Sequence, residues 1–245
     1  MCPTAFERCI GITPSVDGAF ASHLRIEHPE QMLFHLPDEV SFADGVLVEP
    51  LATSLHAVRT SGFRLGDTTV VIGAGTIGLG VIQFLRLGGA GKIVVVEVSE
   101  AKRQLACSMG ADLALDPAAE GEGLQAKVKE VTQGLGAHIV FECAGVTAAV
   151  RNSYTLVRSG GEVLLVGIAG GDVPIQPLLL ALGEVEMKAT LGYWDEFPLV
   201  IEFLRKGLID AARIVSRTIP LETVADAGFN ALLSNKDLVK VIVQP

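Results

Sequence analysis

From about Thr69 to Gly192 the chain keeps one rhythm. Short runs of Val, Ile and other apolar residues alternate with longer stretches whose apolar positions recur every three or four residues, the marks of buried strands and amphipathic helices. Strands are expected at 69–73, 92–97, 112–115, 137–142, 162–167 and 186–192, with helices between them at 76–87, 100–109, 124–133, 147–156 and 178–182. Ser99 stands where an N-cap would accept a backbone N–H, and Gly110 where a helix would stop. Strand and helix in alternation build a parallel sheet covered on both faces, so the expected class is α/β, doubly wound. The flanks read differently. Residues 1–50 are rich in Pro, Gly and His and suggest extended pieces at 20–26 and 33–36 around a turn at His28-Pro29. After Gly192 come a helix at 196–206, a strand at 213–219, a helix at 221–233 and a closing strand at 239–243. The two flanks are expected to pack together outside the sheet.

The first strand of the alternating region runs directly into a glycine turn. Residues 69–79 read T-V-V-I-G-A-G-T-I-G-L. Gly73 permits a tight turn, Gly75 lets backbone approach a pyrophosphate, and Gly78 lets the following helix lie close to the strand. The first helical turn, with Thr76 and Ile77, offers N–H groups and a positive dipole end to phosphates. A second apolar run ends in Glu97, about 20 residues beyond the glycines, where a ribose-binding acid is expected. A carboxylate there accepts bonds from the 2′- and 3′-hydroxyls and repels a 2′-phosphate, so NAD is favoured over NADP. Cys143, in Glu142-Cys-Ala-Gly145, falls at the carboxyl edge of the sheet with Ala144. No basic group adjoins it, so a packing role beside the cofactor is expected rather than a nucleophile. Cys107, with Leu105 and Met109 nearby on a helix, reads as core.

Composition narrows the classes of partner. The chain has 245 residues and is 49% hydrophobic, with a mean hydropathy of +0.46. The uncharged stretch 68–85 nearly reaches membrane-spanning length, but its glycines and its strand-turn-helix pattern argue for a buried βα unit. Net charge is −9 with no basic cluster, which speaks against nucleic acid and anionic membrane as partners. The four cysteines form no disulfide framework, and no signal peptide opens the chain, so a reducing cytoplasm is expected.

Several segments resemble the zinc-dependent medium-chain dehydrogenases, in the branch of sorbitol, threonine and butanediol dehydrogenases. They are Gly18-Ala-Phe-Ala-Ser-His23, Leu36-Pro-Asp-Glu-Val40, Val48-Glu-Pro-Leu-Ala52, Leu55-His-Ala-Val58, the glycine turn, Glu142-Cys-Ala-Gly145, residues 160–168 and Lys240-Val-Ile-Val243. The resemblance implies a Rossmann sheet of order 3-2-1-4-5-6 flanked by a partial GroES-like catalytic domain made from both chain ends. Residues 1–50 would be a remnant of that domain, 51–193 the NAD-binding domain, and 194–245 the return to the catalytic domain. It also implies hydride transfer between an alcohol or polyol carbon and NAD, with zinc polarising the oxygen. By the same resemblance Lys102 is the basic residue beside the adenosine, or a solvated helix charge. Val166, Gly167 and Ile168 would support the nicotinamide ring. Homo-oligomers, dimers or tetramers, would form through the edge strand at 186–192.

The same resemblance exposes a departure. The chain matches the family only from the middle of its first domain, and no Gly-His-Glu segment occurs in it. Cys9 resembles the last of four structural-zinc cysteines and Cys2 the third, and a tetrahedral site cannot close on two thiolates. Glu49 matches the acid in or beside the catalytic zinc shell; the alternative is a first-turn Glu favoured by the helix dipole. His56, two helical turns further on, could share a metal with Glu49, although a buried helix histidine is the plainer expectation. The functional expectation is therefore a NAD-dependent alcohol or polyol dehydrogenase impaired by missing zinc ligands. The alternative is a non-catalytic NAD-binding module. A zinc-free quinone reductase fits neither Glu49-Pro50 nor Glu97.

Overall fold

Six strands, β1 (Thr68–Ile72), β2 (Lys92–Val96), β3 (Leu113–Leu115), β4 (Ala137–Glu142), β5 (Val157–Leu165) and β6 (Glu186–Ala189), lie parallel in the order β3-β2-β1-β4-β5-β6. The structure is a computed structural model that describes residues 9–14 and 16–245. The sheet belongs to the larger of two units, Pro37–Ile214. Around it run α1 (Val48–Thr60), α2 (Thr76–Leu87), α3 (Glu100–Ser108), α4 (Leu124–Val131), α5 (Thr147–Leu156), α6 (Pro177–Gly183) and α7 (Phe197–Arg205). The expected doubly wound α/β class and strand order are thus what the protein adopts.

The apolar runs follow from burial on both faces, which removes any need for alternation. In β1 and β2 all but the first residue is buried. On one face Val70, Val94, Val140 and Val163 pack with Val128 of α4 and Leu156 of α5. The contact of α1 with α2 is a close one. The Ser54 hydroxyl donates to the Ile77 carbonyl at 2.9 Å, and a Cβ on Gly80 would lie 2.7 Å from the Ser54 Cβ. Ser99 does cap α3, accepting the Lys102 N–H at 3.2 Å. Ser99→Ala should cost about 1 kcal/mol of stability, read as a lower urea midpoint.

Where boundaries differ from the sequence reading, hydrogen bonds explain why. The first strand stops at Ile72 because Gly73 has φ +95. Helix α4 stops at Val131 because Gln133 and Gly134 turn into positive φ. Strand β5 starts at Val157, earlier than expected, because a register shift in its ladder lets Val157 pair with Ala137. It ends at Leu165 because the Val166 and Gly167 N–H groups both turn to the Glu142 carbonyl, at 2.8 Å each. Strand β6 ends with its partner, the last pair being Leu165 with Ala189. Cys107 is exposed rather than core; in α3 only Ala106 is fully buried, so the helix turns Cys107 outward.

The smaller unit joins the described residues up to Leu36 with Val215–Pro245. Strands β7 (Val215–Pro220) and β8 (Lys240–Gln244) pair in parallel within it, and the Phe20 and Phe229 rings meet edge to face at 5.6 Å. The segments at 20–26 and 33–36 form no ladder among the described residues, and 29–32 is a helical turn. The helix expected at 221–233 is three pieces: a 3₁₀ turn, a π-helical stretch Val224–Asn230 and a last α turn. A Cβ on Gly228 would sit 3.3 Å from the Ile219 side chain, so the π-helical stretch comes close to β7. No described helix is long and apolar enough to cross a membrane.

Candidate functional site

The strand order reverses between β1 and β4, and in an open α/β sheet ligands bind beyond the carboxyl ends of the strands at that point. The Gly73 N–H donates to the Val96 carbonyl at 2.8 Å, which folds the glycine turn across the end of β2. A Cβ on Gly78 would lie 1.9 Å from the Gly73 carbonyl oxygen, whereas one on Gly75 meets nothing within 4 Å. Gly78 is therefore required by packing, and Gly75 leaves open space beside the turn. No side chain caps α2, and Gly75, Thr76 and Ile77 are half-buried. The first turn of α2 thus has the form of an anion site.

Glu97 stands at the mouth of this turn. Its Oε2 accepts the Ala74 N–H at 2.7 Å and its Oε1 the Ser99 N–H at 2.9 Å. The half-buried carboxylate is thereby oriented before any ligand arrives. Arg103 braces the same loop, donating to the carbonyls of Glu97 and Val98 at 2.8 Å each and pairing with Asp116 at 3.2 Å. Lys102 is half-buried and makes no ion pair with Glu97 among the described residues. Sequence reasoning passed over Arg103 because a helix arginine ordinarily reads as solvated surface.

On the far side of the turn, Cys143 donates its N–H to the Ile72 carbonyl at 2.8 Å. Burial, and then the neighbouring Glu142 carboxylate, push its thiol well above the ordinary range, which disfavours the thiolate that a nucleophile needs. A Cβ on Gly73 would meet the Ala144 nitrogen at 3.0 Å. Val166 is buried, Gly167 half-buried and Ile168 exposed. Glu142, which closes β4, is fully buried. Its Oε1 accepts the N–H groups of Ala144 and Gly145 at 2.8 and 2.9 Å, and its Oε2 has no hydrogen-bond partner among the described residues. Burial raises its pKa, with the two backbone bonds opposing. A charge closing an apolar strand was the signal for it, but the sequence does not say that the end of the strand is covered.

The residues read as metal candidates do not converge. Glu49 is exposed in the first turn of α1. His56 is buried and points its Nδ1 at Glu196 Oε1, 3.0 Å away, so it does not join Glu49. Cys9 is half-buried, its carbonyl accepting the N–H groups of Ile12 and Thr13; Cys2 lies outside the described residues. Among the described residues no three His, Cys, Asp or Glu side chains group to hold a metal ion. The donor set present does not fit a catalytic zinc, which takes three protein ligands.

A doubly wound sheet with a glycine turn at the reversal point and an acid after β2 has the form of a Rossmann-type dinucleotide-binding domain. The chain belongs to the zinc-binding dehydrogenase family, whose sequence model matches residues 76–206. The (R,R)-butanediol dehydrogenase of Bacillus subtilis is 36% identical over 228 residues, 93% of this chain and 64% of that protein. A crystal structure of 2R,3R-butanediol dehydrogenase from Bacillus subtilis superposes with a TM-score of 0.87 at 35% identity, covering 96% of this chain and 66% of that one. A zinc-binding dehydrogenase from Sinorhizobium meliloti, bound to NADP, superposes with a TM-score of 0.84 at 31% identity, covering 96% and 68%. The chain therefore spans just under two thirds of the length of the butanediol dehydrogenase.

Proposed function

We propose that residues 37–214 hold NAD as the cofactor unit of a dehydrogenase acting on a secondary alcohol or vicinal diol, and that catalysis is impaired in this chain. The observation that carries this reading is the Glu97 carboxylate, fixed by two backbone N–H groups at the mouth of the glycine turn. Each of its oxygens keeps a lone pair for a ribose hydroxyl, and its charge repels a 2′-phosphate. Gly75 and the first turn of α2, with Thr76 and Ile77, receive the pyrophosphate. Cys143, Ala144, Val166, Gly167 and Ile168 flank the nicotinamide, which when bound supplies the hydride acceptor. Lys102 stays beside the adenosine as a solvated charge.

Zinc is expected from the family, but the described ligands do not assemble a site, so no step of this scheme is assigned to it. That favours the second reading, a NAD-binding module without catalysis, in which Glu49 is a first-turn acid favoured by the helix dipole and Cys9 an ordinary thiol. The open edge of β6, with Leu191 and Trp194 exposed nearby, suits homo-oligomers, since an unpaired edge invites pairing.

The cofactor reading is tested by titrating NADH and NADPH against the chain. NADH should bind tighter by about tenfold or more, and Glu97→Ala should narrow the preference by about 1.4 kcal/mol, one factor of ten. Equal binding of both by the wild type would overturn the assignment. The NADP-bound neighbour makes this comparison decisive. Impairment is tested separately, by NAD⁺ reduction with zinc over vicinal diols, polyols and threonine. Chelator-sensitive turnover would overturn it, and its absence in a folded chain that binds NADH would support it.

A further inference from the structure

We propose that Glu142 is a positioning residue for the nicotinamide end of this cofactor site, acting through the two loops that it ties together. The proposal rests on the cofactor reading above. Glu142 is fully buried at the carboxyl end of β4, paired across the sheet with the apolar Ile72 and Leu165. A carboxyl placed there is costly relative to an apolar side chain unless hydrogen bonds compensate its burial.

Its backbone and its side chain hold different loops. The Glu142 carbonyl accepts the N–H groups of Val166 and Gly167, at 2.8 Å each. The side-chain Oε1 accepts those of Ala144 and Gly145. The loops then lie so close that a Cβ on Gly167 would fall 2.3 Å from the Gly145 nitrogen and 3.0 Å from Glu142 Oε2. Gly145, at φ +65, is packed in turn against the backbone of Ile168, and Ala144 against Gly73. One residue, through its carbonyl to Val166 and Gly167 and its carboxylate to Ala144 and Gly145, thus ties the turn packed on Gly73 to the residues assigned to the nicotinamide wall.

No ion pair reaches this carboxyl among the described residues, and Oε2 has no hydrogen-bond partner. A pair of backbone N–H groups is what it serves, and a neutral amide oxygen can accept both of them. An alanine would leave both N–H groups buried and unmatched and free the Ala144–Gly145 turn to shift. The glycine turn and Glu97, which face the adenosine diphosphate half, would keep their own bonds.

The test compares NADH, followed by its fluorescence, with ADP-ribose, followed by calorimetry, on the full 245-residue chain. Glu142→Ala should weaken NADH by about tenfold while ADP-ribose changes by less than about threefold. Glu142→Gln should restore NADH to within about threefold of wild type. Wild-type NADH affinity in the alanine variant, or equal loss of both ligands in a folded protein, would overturn the proposal. Should Glu142→Ala not fold, Glu142→Asp decides, being too short to reach both N–H groups. A selective loss of NADH there supports the role, and unchanged NADH binding refutes it. If the wild type bound neither ligand, the cofactor reading itself would fall.

Discussion

Gly78→Ala is expected to cost the protein about 3 kcal/mol or more, above the ordinary range for an added methyl. The added Cβ would lie 1.9 Å from the Gly73 carbonyl oxygen and 3.0 Å from its carbon. Those atoms are backbone, fixed by the bond from the Gly73 N–H to Val96, so no rotamer change relieves the clash. Helix α2 would have to retreat from β1 by more than an ångström, and the other side is closed. Gly80 of the same helix already lies against Ser54, and Ser54 is bonded to Ile77. With a total stability of about 5–15 kcal/mol for a typical domain, such a loss shows plainly in a urea melt. Gly75→Ala should behave oppositely. Nothing lies within 4 Å of its new Cβ and its φ of −76 suits alanine, so stability should hold or rise by about 0.5 kcal/mol. NADH binding should nevertheless fall sharply. A Gly75→Ala variant that binds NADH as the wild type does would remove the pyrophosphate from this turn.

The contrast between these glycines shows what the sequence could and could not say. The spacing of Gly73, Gly75 and Gly78 announces the turn, but only the placement of Ser54 and of the Gly73 carbonyl separates the glycine that packs from the one that faces open space. The central strands β1 and β2 were legible because each is buried on both faces and so reads as an unbroken apolar run. The segment 221–233 is helical as expected, but the sequence did not show that it divides into 3₁₀, π and α pieces. The residues at the strand ends come together as expected, because a parallel sheet places successive carboxyl ends along one edge. Glu142 and Arg103 were not read as parts of the site, since what they hold is backbone. Glu49 and His56, two helical turns apart, part company because the partner of His56 lies 140 positions further along the chain.

That partner, Glu196, carries the second large effect. It is buried just before α7 and has a donor for each of its lone-pair sites. Oε1 accepts from His56 Nδ1 and from Arg59, both at 3.0 Å. Oε2 accepts the N–H groups of Trp194 and Asp195 at 2.7 and 3.1 Å. A carboxylate can only accept, so His56 carries its proton on Nδ1. Burial alone would raise the pKa of Glu196, but the bonds from Trp194, His56 and Asp195 outweigh it and hold the carboxyl below its usual range. A carboxyl depressed in the folded state stabilises the protein above its unfolded pKa, and that stability is lost as pH falls through the lower folded value. Glu196→Ala should therefore cost about 3–5 kcal/mol at neutral pH, since it strands two backbone N–H groups and a buried histidine. The penalty should shrink on acidification below the ordinary carboxylate range, because protonated wild type loses the same interactions. Asp195→Ala removes an exposed partner of Arg59 and should stay within about 0.5 kcal/mol. Urea melts of the three proteins at neutral and acid pH check all of this. If Glu196→Ala and Asp195→Ala cost the same, the junction of α1 with α7 does not depend on the buried carboxylate.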